Sequence, residues 1–502
     1  MSEASKRVGQ AMYWSVLSRI GRFVLGLASS IIIVRGLGKD DYGVLSLLRV
    51  VLIFVAILSA AGMGQSLLKF LPLLRVQGDR EGARRLILWV IVIQAAAWAV
   101  LVVLSSVLGG WFESLFSFEG VGKILWIAVA LELFEVAFKL VTQVLTAYYD
   151  VKLLSIANVV GHAVMILGLV AFFAMDLGLV GVFAAAAVGN LASTLMVIGR
   201  FARHLERDEP AVSSGAVGMS RLFRFSVPFA LIGILNVIVW RQSETIFLAH
   251  FRSAAETGFF DLAYRLPQTV LEFIPLTVWP IIMAGVSEIY AKDQSKLNES
   301  IDRYYRMLFL LSAPICVIGA VLGGRMIPIL YGDAMAPAGL PTQIFFVIFP
   351  ISFLGTPLSM ALYVIEKSYA TLVVYFALAV VNVGLDLLLI PRFGIIGAVI
   401  PVGLVIAASP AIYKHVLGRH VSGTRIPYAF IGKCFLASSP VLLLLPFTGL
   451  IRDALGLGVA VLAACVLVLV GVKTVKLLGK EERDMLGSVP IPAADRIWKL
   501  LG

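Results

Sequence analysis

Charged residues are scarce in this chain. Asp, Glu, Lys and Arg make up 14% of its 502 residues, whereas an ordinary soluble domain has about 25%. In their place, apolar runs of about 20 residues recur along the chain, and each is long enough to cross a hydrocarbon core of ~30 Å. The composition excludes a large soluble domain and predicts an all-α, polytopic membrane protein.

Patterns of enzyme chemistry are also absent from the sequence. The phosphate-binding pattern G-x-x-x-x-G-K-[ST] does not occur, so we expect no ATP hydrolysis. The one paired-carboxylate run, Asp40-Asp41, lies at the start of a predicted helix, and the loops are too short to hold a catalytic domain. We therefore expect a protein that is not an enzyme and that needs no cofactor.

Cysteine is rare as well. The three cysteines, Cys316, Cys434 and Cys465, all lie in apolar segments. Their spacing is that of neither a disulfide framework nor a metal site, and buried cysteines of this kind behave as small hydrophobic residues. The sequence therefore predicts no bound metal ion.

The net charge of +11 is explained by membrane topology rather than by nucleic-acid binding. Hydropathy predicts fourteen spans, and an even number places both termini on the same side. The loops on that side carry 27 of the 41 Lys and Arg residues, and the loops on the other side carry 7. Because cytoplasmic loops are enriched in Lys and Arg, we expect both termini in the cytoplasm.

The sequence contains an internal repeat. Three pairs of segments match at an offset of 215 or 216 residues: Asp41-Tyr42-Gly43 with Glu256-Thr257-Gly258, Gly178–Gly181 with Gly394–Gly397, and Asp150 with Glu366. The offset covers six spans, which is an even number, so the two copies have the same orientation in the membrane. Repeats of this kind place a transport site near mid-membrane between two lobes.

The repeat and the loop lengths together predict the organisation of the chain. Two six-helix lobes are joined by a basic linker and followed by two further spans and an amphipathic, cytoplasmic tail. The predicted boundaries are 1–200 for the N-terminal lobe, 201–224 for the linker, 225–413 for the C-terminal lobe, 414–472 for spans 13 and 14, and 473–502 for the tail.

Four arginines lie well inside apolar spans, namely Arg19, Arg22, Arg49 and Arg265. A guanidinium at mid-membrane costs at least ~2.5–3.5 kcal/mol, and it cannot lose its proton. Arg49 and Arg265 lie at similar depth, ~9–10 Å below the outer edge of their spans. The pattern predicts an anion site, although Asp261, four residues before Arg265, offers a structural ion pair as the alternative.

Acidic residues inside the spans have two interpretations. Glu132, Glu272 and Asp386 are candidates for coupling transport to protons or cations, or for neutralising arginines across helices. Glu135 and Lys139 are four residues apart on one helix and can pair directly. His162 follows Asn158 by one turn, and it is either a packed polar residue or a proton relay.

Two segments resemble a known family. Val34–Gly43, after the first span, and Gly258–Leu266, in span 8, are similar to the polysaccharide-flippase branch of the multidrug/oligosaccharidyl-lipid/polysaccharide (MOP) exporter superfamily, and above all to O-antigen (Wzx-type) flippases. The resemblance covers the whole chain. In the related lipid II flippases, span 2 starts with Asp-Ala-Phe, whereas this chain has Asp41-Tyr42-Gly43, which argues against lipid II as the substrate.

The resemblance implies a function. The expected substrate is an undecaprenyl-pyrophosphate-linked oligosaccharide, moved by alternating access to the outer leaflet of the bacterial cytoplasmic membrane. The four arginines are expected to line the cavity and bind the pyrophosphate. The implied partners are the lipid-linked glycan, membrane lipids, and a glycan polymerase or other assembly proteins, with no nucleic acid.

Two other functions are compatible with the same pattern. A cation-coupled multidrug or metabolite antiporter of the same superfamily would have a cavity dominated by acids. A non-transporting membrane scaffold for glycan assembly would tolerate alanine at Arg19, Arg22 and Arg49. The arginines favour the flippase over both.

Overall fold

The chain is helical throughout the part that the structure describes. A computed structural model describes residues 3–148, 150–205, 218–240, 243–365 and 367–479. All regular secondary structure within these ranges is helical, which confirms the predicted all-α class. Most of the predicted linker (206–217), Glu366 of the predicted repeat and the tail from 480 onward lie outside the described residues.

The residues form two compact units, Met1–Gly258 and Phe259–Gly502. The division falls after the seventh predicted span, whereas the predicted linker falls before it, and the lobe boundaries stay a prediction. The helices that lie in the first unit are α1 (Glu3–Ala60), α2 (Met63–Val76), α3 (Arg80–Phe116), α4 (Val121–Ala147), α5 (Val151–Ala174), α6 (Gly178–Arg203), α7 (Met219–Trp240) and α8 (Ser243–Phe251).

The second unit begins within a long helix and contains the remaining spans. Its helices are α9 (Ala254–Lys292), α10 (Leu297–Tyr331), α11 (Gly339–Ser352), α12 (Thr356–Val364), α13 (Ser368–Gly418), α14 (Tyr428–Ser438) and α15 (Ala454–Thr474). Three 3₁₀ segments, Gln294–Lys296, Asp333–Ala338 and Ser439–Leu450, connect or extend these helices.

Ten of the described helical stretches are long and apolar enough to cross a membrane. Two of them, Ser18–Arg75 and Tyr369–Gly418, have 58 and 50 residues. At 1.5 Å per residue each is more than twice as long as a hydrocarbon core is thick. A multi-pass membrane protein is therefore confirmed, and the count of fourteen spans stays a prediction.

The long stretches are interrupted at glycines. Gly38 within α1 has φ 76° and ψ −178°, and Gly394 within α13 has φ 54° and ψ −129°. Both conformations are open essentially to glycine alone. Each break lets one continuous run of helical residues change direction.

α4 is one of the spans that hydropathy predicts, but it is not among the ten described helical stretches that are apolar enough to cross a membrane. Its 27 residues are enough for a crossing, since a span needs about 20. Glu132, Glu135 and Lys139 lie in its middle, so its charge exceeds that of an ordinary apolar span. Charged residues inside a membrane helix usually face a cavity or a partner, and the arrangement around α4 supports this interpretation.

Corresponding glycines of the predicted repeat share an unusual local structure. Gly178 at the start of α6 has φ 49°, and Gly394, its partner at an offset of 216, has φ 54°. Gly181 and Gly397, three residues later, are both packed too closely for a larger side chain. The two segments therefore share a positive φ at the first glycine and close packing at the second, as expected of a repeat.

The first unit is held together partly at the ends of α2, α3 and α4. A buried apolar cluster there includes Met63, Leu67 and Phe70 of α2, and it reaches Leu222 of α7. Inside lipid the hydrophobic effect gives helices little reason to associate, so packing and hydrogen bonds between them matter more. One such bond joins Ser66 Oγ and Ser226 Oγ at 2.6 Å.

Candidate functional site

α1 carries the first two arginines of the predicted site on one face. Arg19 and Arg22 are three residues apart, which places them about one turn apart on that face. Both side chains are half-buried, and Ser18 and Ser29 on the same helix are buried. Arg19 and Arg22 are close enough to repel each other electrostatically. The helix thus brings two positive charges together.

α5 packs against this part of α1 through a glycine. A Cβ added to Gly21 would lie 3.2 Å from a methyl carbon of Val159, which is closer than ordinary side chains approach. The small residue therefore allows the two helices to come together. As a result Arg22, the next residue of α1, lies within electrostatic range of His162 on α5.

His162 lies between positive and negative side chains. It interacts electrostatically with Arg22 of α1 and with Glu135 of α4. Its Nδ1 is 3.0 Å from the carbonyl oxygen of Asn158. Because a carbonyl oxygen only accepts, Nδ1 carries a proton and Nε2 of the neutral ring is an acceptor. The ring can therefore exchange a proton at Nε2 without losing its bond to the helix.

The acids of α4 form the next part of the cluster. Glu135 and Lys139 make the ion pair that their spacing predicts. Glu132, one turn earlier, is buried and interacts electrostatically with both. Since Lys139 already pairs with Glu135, Glu132 is the acid of this helix whose charge is least compensated.

Arg22 has an unused donor within this cluster. Its Nε is buried and has no hydrogen-bond partner among the residues that the structure describes. A buried charged donor without a partner is costly, whereas bonds from guanidinium to phosphate or carboxylate oxygens are among the strongest in proteins. The arrangement is therefore suited to binding an anion that enters from outside the helix pair.

Arg49 lies in the part of α1 that follows the break at Gly38. Its neighbours Leu48 and Val50 are fully buried, and its own side chain is half-buried. Six residues earlier, a Cβ on Gly43 would collide with the carbonyl oxygen of Ala254. The backbones of the segments that start spans 2 and 8 are therefore in close contact six residues before Arg49.

Gly258 makes the matching contact from the other copy of the repeat. A Cβ added there would lie 3.0 Å from the backbone nitrogen of Gly43 and 3.1 Å from the carbonyl oxygen of Lys39. The two glycines that correspond in the predicted repeat therefore touch each other.

Arg265 forms the ion pair that its spacing allows. Its Nη2 donates to Asp261 Oδ1 at 2.9 Å, and its Nε donates to Oδ2 at 3.2 Å. Asp261 is fully buried, and the Arg265 side chain is 34% exposed. Bidentate pairs of this kind fix the guanidinium plane and neutralise its charge. The structural alternative raised by the sequence is thus present for Arg265.

The two remaining acids lie in the second unit. Glu272 is half-buried and accepts a hydrogen bond from Gln268 Nε2 at 3.0 Å. Asp386 is fully buried, and Asn382 Nδ2 is 3.5 Å from its Oδ2. Among the residues that the structure describes, no group of three or more His, Cys, Asp or Glu could hold a metal ion.

The structure brings some of the predicted residues together. Arg19 and Arg22 are neighbours, and a chain of electrostatic contacts leads from Arg22 through His162 to Glu135 and Glu132. The sequence did not place His162 beside Arg22. A polar pair at Asn158 and His162 within an apolar span was the only signal of this contact. The second unit contains Arg265, Glu272 and Asp386.

A family model supports the resemblance seen in the sequence. The model described as "Polysaccharide biosynthesis protein" matches residues 32–338. The match includes Arg49, Glu132 and Arg265, and it ends before Asp386. No curated protein matches the chain significantly.

Solved structures of transporters share the fold. A lipid II flippase, MurJ, in an inward closed conformation has a TM-score of 0.70 at 15% identity, covering 93% of this chain and 98% of its own. An inward-facing multidrug resistance MATE transporter of the MOP superfamily has a TM-score of 0.64 at 15% identity, covering 81% and 100%.

A third structure is a MOP superfamily transporter from Pyrococcus furiosus, described as having a binding pocket of reversed polarity. Its TM-score is 0.59 at 13% identity, covering 83% of this chain and 96% of its own. At such identities the likeness establishes that the chain shares the fold of these transporters, and no more.

Proposed function

This chain belongs to the polysaccharide biosynthesis protein family, and on that premise we propose that it is a flippase. The proposed substrate is an undecaprenyl-pyrophosphate-linked oligosaccharide, moved by alternating access from the cytoplasmic to the outer leaflet of the bacterial cytoplasmic membrane. A lipid II flippase has the same fold, and that supports a lipid-linked substrate for this chain.

The arginine pair of α1 carries this proposal. Arg19 and Arg22 lie side by side within a membrane helix, and the buried Nε of Arg22 has no partner among the described residues. A pyrophosphate can supply the missing acceptors, and charge-assisted hydrogen bonds replace the water that it loses. We propose that Arg19, Arg22, Arg49 and Arg265 bind the pyrophosphate at successive stages of transport.

Membrane voltage favours the proposed direction. An inside-negative potential drives an anion outward by about 2.3 kcal/mol per charge for each 100 mV. The return of the empty carrier moves arginine charge, and that step is easier with a counter-ion. We propose Glu132, Glu272 and Asp386 as the groups that carry a coupling proton or cation. Transport that responded to no ion gradient and no voltage in vesicles would rule this coupling out.

The test is leaflet-resolved labelling of the lipid-linked oligosaccharide in cells that depend on this protein. We expect Arg19→Ala, Arg22→Ala and Arg49→Ala to reduce outer-leaflet labelling at least about tenfold, since each removes a charge-assisted bond worth about 1.5–3 kcal/mol. Arg265→Ala tests whether its pairing with Asp261 leaves it available to the substrate.

Lys123→Ala is the matched control. Lys123 is exposed in the first turn of α4, on the predicted outer side, so its loss changes the net charge without touching the arginines. Wild-type labelling in all four arginine variants, at normal protein levels, would contradict the proposed site. It would favour a scaffold that binds a glycan polymerase or other assembly proteins.

A further inference from the structure

A second pair of basic residues lies far from Arg19 and Arg22 in the sequence. Lys69, in the middle of α2, and Arg221, near the start of α7, share one aromatic ring. The Lys69 Nζ is 5.7 Å from the centroid of the Phe70 ring, and the Arg221 Cζ is 5.4 Å from the same centroid. Lys69 Nζ is also 4.1 Å from the centroid of Phe225.

Helix packing fixes this arrangement. The Ser66 and Ser226 hydroxyl groups are 2.6 Å apart and set the register of α2 against α7. Phe70 is fully buried and meets Phe225 edge to face, with ring centroids 5.4 Å apart. Gly62, where α2 begins, lies so close to the Ser226 carbonyl oxygen that no side chain would fit. The two cations are therefore carried by a rigid contact and not by a loop.

The charge of the pair is not neutralised within the described structure. Among the residues that the structure describes, no carboxylate forms an ion pair with Lys69 or Arg221. The face of an aromatic ring attracts a cation but does not cancel its charge. Two like charges held beside one ring repel each other, and an anion that contacts both removes that repulsion.

The position in the membrane restricts the kind of anion. The predicted topology places both residues at the cytoplasmic surface, where phosphate groups of lipids are the abundant anions. Apolar side chains on the same part of α7, Phe223, Val227 and Phe229, are exposed. A ligand with a phosphate head and an apolar tail satisfies both features, whereas a free soluble anion uses only the first.

We propose that Lys69 and Arg221 bind the pyrophosphate head group of a polyprenyl lipid at the cytoplasmic surface before the lipid reaches Arg19 and Arg22. A head group with two or more negative charges fits two adjacent cations better than the single charge of an ordinary anionic phospholipid. This inference rests on the proposed function, and it adds a docking step on α2 and α7.

The experiment measures binding instead of transport. The full-length protein, purified in nanodiscs of zwitterionic lipid, is titrated with a short-chain polyprenyl pyrophosphate, with the matching monophosphate and with phosphatidylglycerol. Arg19→Ala/Arg22→Ala forms the background, so that the site on α1 does not dominate the signal. Thermal unfolding of each variant checks that it is folded.

We expect Lys69→Gln and Arg221→Gln each to weaken pyrophosphate binding about tenfold, the value of one charge-assisted bond. Arg224→Gln is the matched control. Arg224 is exposed on the same helix, one turn after Arg221, and its replacement by glutamine removes the same charge. It should weaken binding less than about twofold, as general surface charge does. Phe70→Leu keeps the apolar packing and should give an intermediate loss.

Three results of the binding experiment would overturn the docking site. They are equal losses in Arg224→Gln and Arg221→Gln, no loss in Lys69→Gln and Arg221→Gln, and a loss confined to phosphatidylglycerol. Flipping assays distinguish a failure of the docking site from a failure of the proposed function. A protein that flips its lipid with Lys69 and Arg221 both replaced overturns the docking site alone. A protein that binds pyrophosphate through them but flips nothing overturns the function alone.

Discussion

The arginines of α1 and the arginine of α9 are held in opposite ways. Arg265 on α9 makes two hydrogen bonds to Asp261, a fully buried carboxylate one turn earlier. Arg19 and Arg22 on α1 have no acid within one turn in the sequence, and they repel each other. The first arrangement pairs opposite charges on one helix, whereas the second brings two like charges together.

The difference separates two reasons for an arginine in a membrane span. A paired guanidinium has already met its need for acceptors, and its contribution is to local structure unless the pair opens. Two like charges held close together within a span cost free energy, and an anion that binds to them offsets that cost. The comparison predicts that the two sites respond differently to the same substitution.

The largest effect is expected from the double variant Arg19→Gln/Arg22→Gln. Two charge-assisted bonds of about 1.5–3 kcal/mol each are removed, so lipid flipping should fall at least about 100-fold. The amides keep most of the side-chain volume, and removing the repulsion should leave the thermal stability equal or higher. Leaflet-resolved labelling and a melting curve measure the two quantities. A large loss of stability would instead assign the pair a structural role.

The next effect concerns the stability of the second unit. Asp261→Asn leaves Arg265 without its carboxylate and should lower the free energy of unfolding by about 1–3 kcal/mol. The value is below that of a fully buried pair because the Arg265 side chain is 34% exposed. Adding Arg265→Gln to Asp261→Asn should restore part of the loss. Thermal unfolding of the three variants in detergent checks this.

The restored double variant also sharpens the comparison for transport. If Arg265 acts on the substrate as well as on Asp261, then Asp261→Asn/Arg265→Gln will be stable but slow in flipping. If flipping is normal, the site consists of the arginines in the first unit. Either result decides whether Arg265 acts on the substrate or serves only to pair with Asp261.

A smaller effect is expected at Glu135. Its carboxylate interacts with His162, which in turn interacts with Arg22, so it lowers the positive potential near the proposed anion site. Glu135→Gln should tighten the binding of a polyprenyl pyrophosphate about twofold, as one screened charge at a distance does. Lys139→Gln is the opposite control and should weaken it. Titration calorimetry at two salt concentrations measures both changes, and high salt should reduce them.

The smallest effect is a pH dependence at the C-terminal end of α6. His204 stacks on Tyr148 with ring centroids 3.8 Å apart. Burial lowers the pKa of His204, Asp150 raises it, and Arg75 and Arg200 lower it further. A folded-state pKa below the unfolded value of about 6.5 stabilises the protein at neutral pH, and this contribution is lost as the pH falls from 6.5 through the folded-state value.

Melting curves between pH 7.5 and pH 5.5 measure that contribution. His204→Phe keeps the stacked ring and removes the titration, so its melting temperature should depend less on pH than that of the wild type. An unchanged pH dependence would mean that other groups cause it. No effect on the arginines of α1 is expected from this variant.

Hydropathy predicted much of the fold because a span needs only length and apolar character. Hydropathy could not predict that the twelve residues Ser439–Leu450 form a 3₁₀ helix, because an apolar composition is compatible with an α-helix as well as with a 3₁₀ helix. Pro440 and Pro446 lack backbone N–H groups and limit α-helical bonding in that segment. The break at Ala61 and Gly62, with φ 47° and 69°, was also missed, because alanine gives no signal of a left-handed conformation.

Part of the candidate site could likewise be predicted from the sequence, and part of it could not. The pairs Asp261–Arg265 and Glu135–Lys139 follow from spacing on one helix, which the sequence states directly. The electrostatic interaction of Arg22 with His162 depends on how closely α1 and α5 approach at Gly21, and a single sequence does not reveal which helices meet. The same limit applies to Lys69 and Arg221, whose shared ring depends on a pairing of α2 with α7.

The contact between Gly43 and the backbone of Ala254 has a consequence for the gene as well as for the protein. Every single-base change in a glycine codon that yields another amino acid introduces a Cβ atom. At position 43 that atom would collide with the Ala254 carbonyl oxygen, even in alanine. Every missense change of one base at codon 43 is therefore expected to disturb this contact.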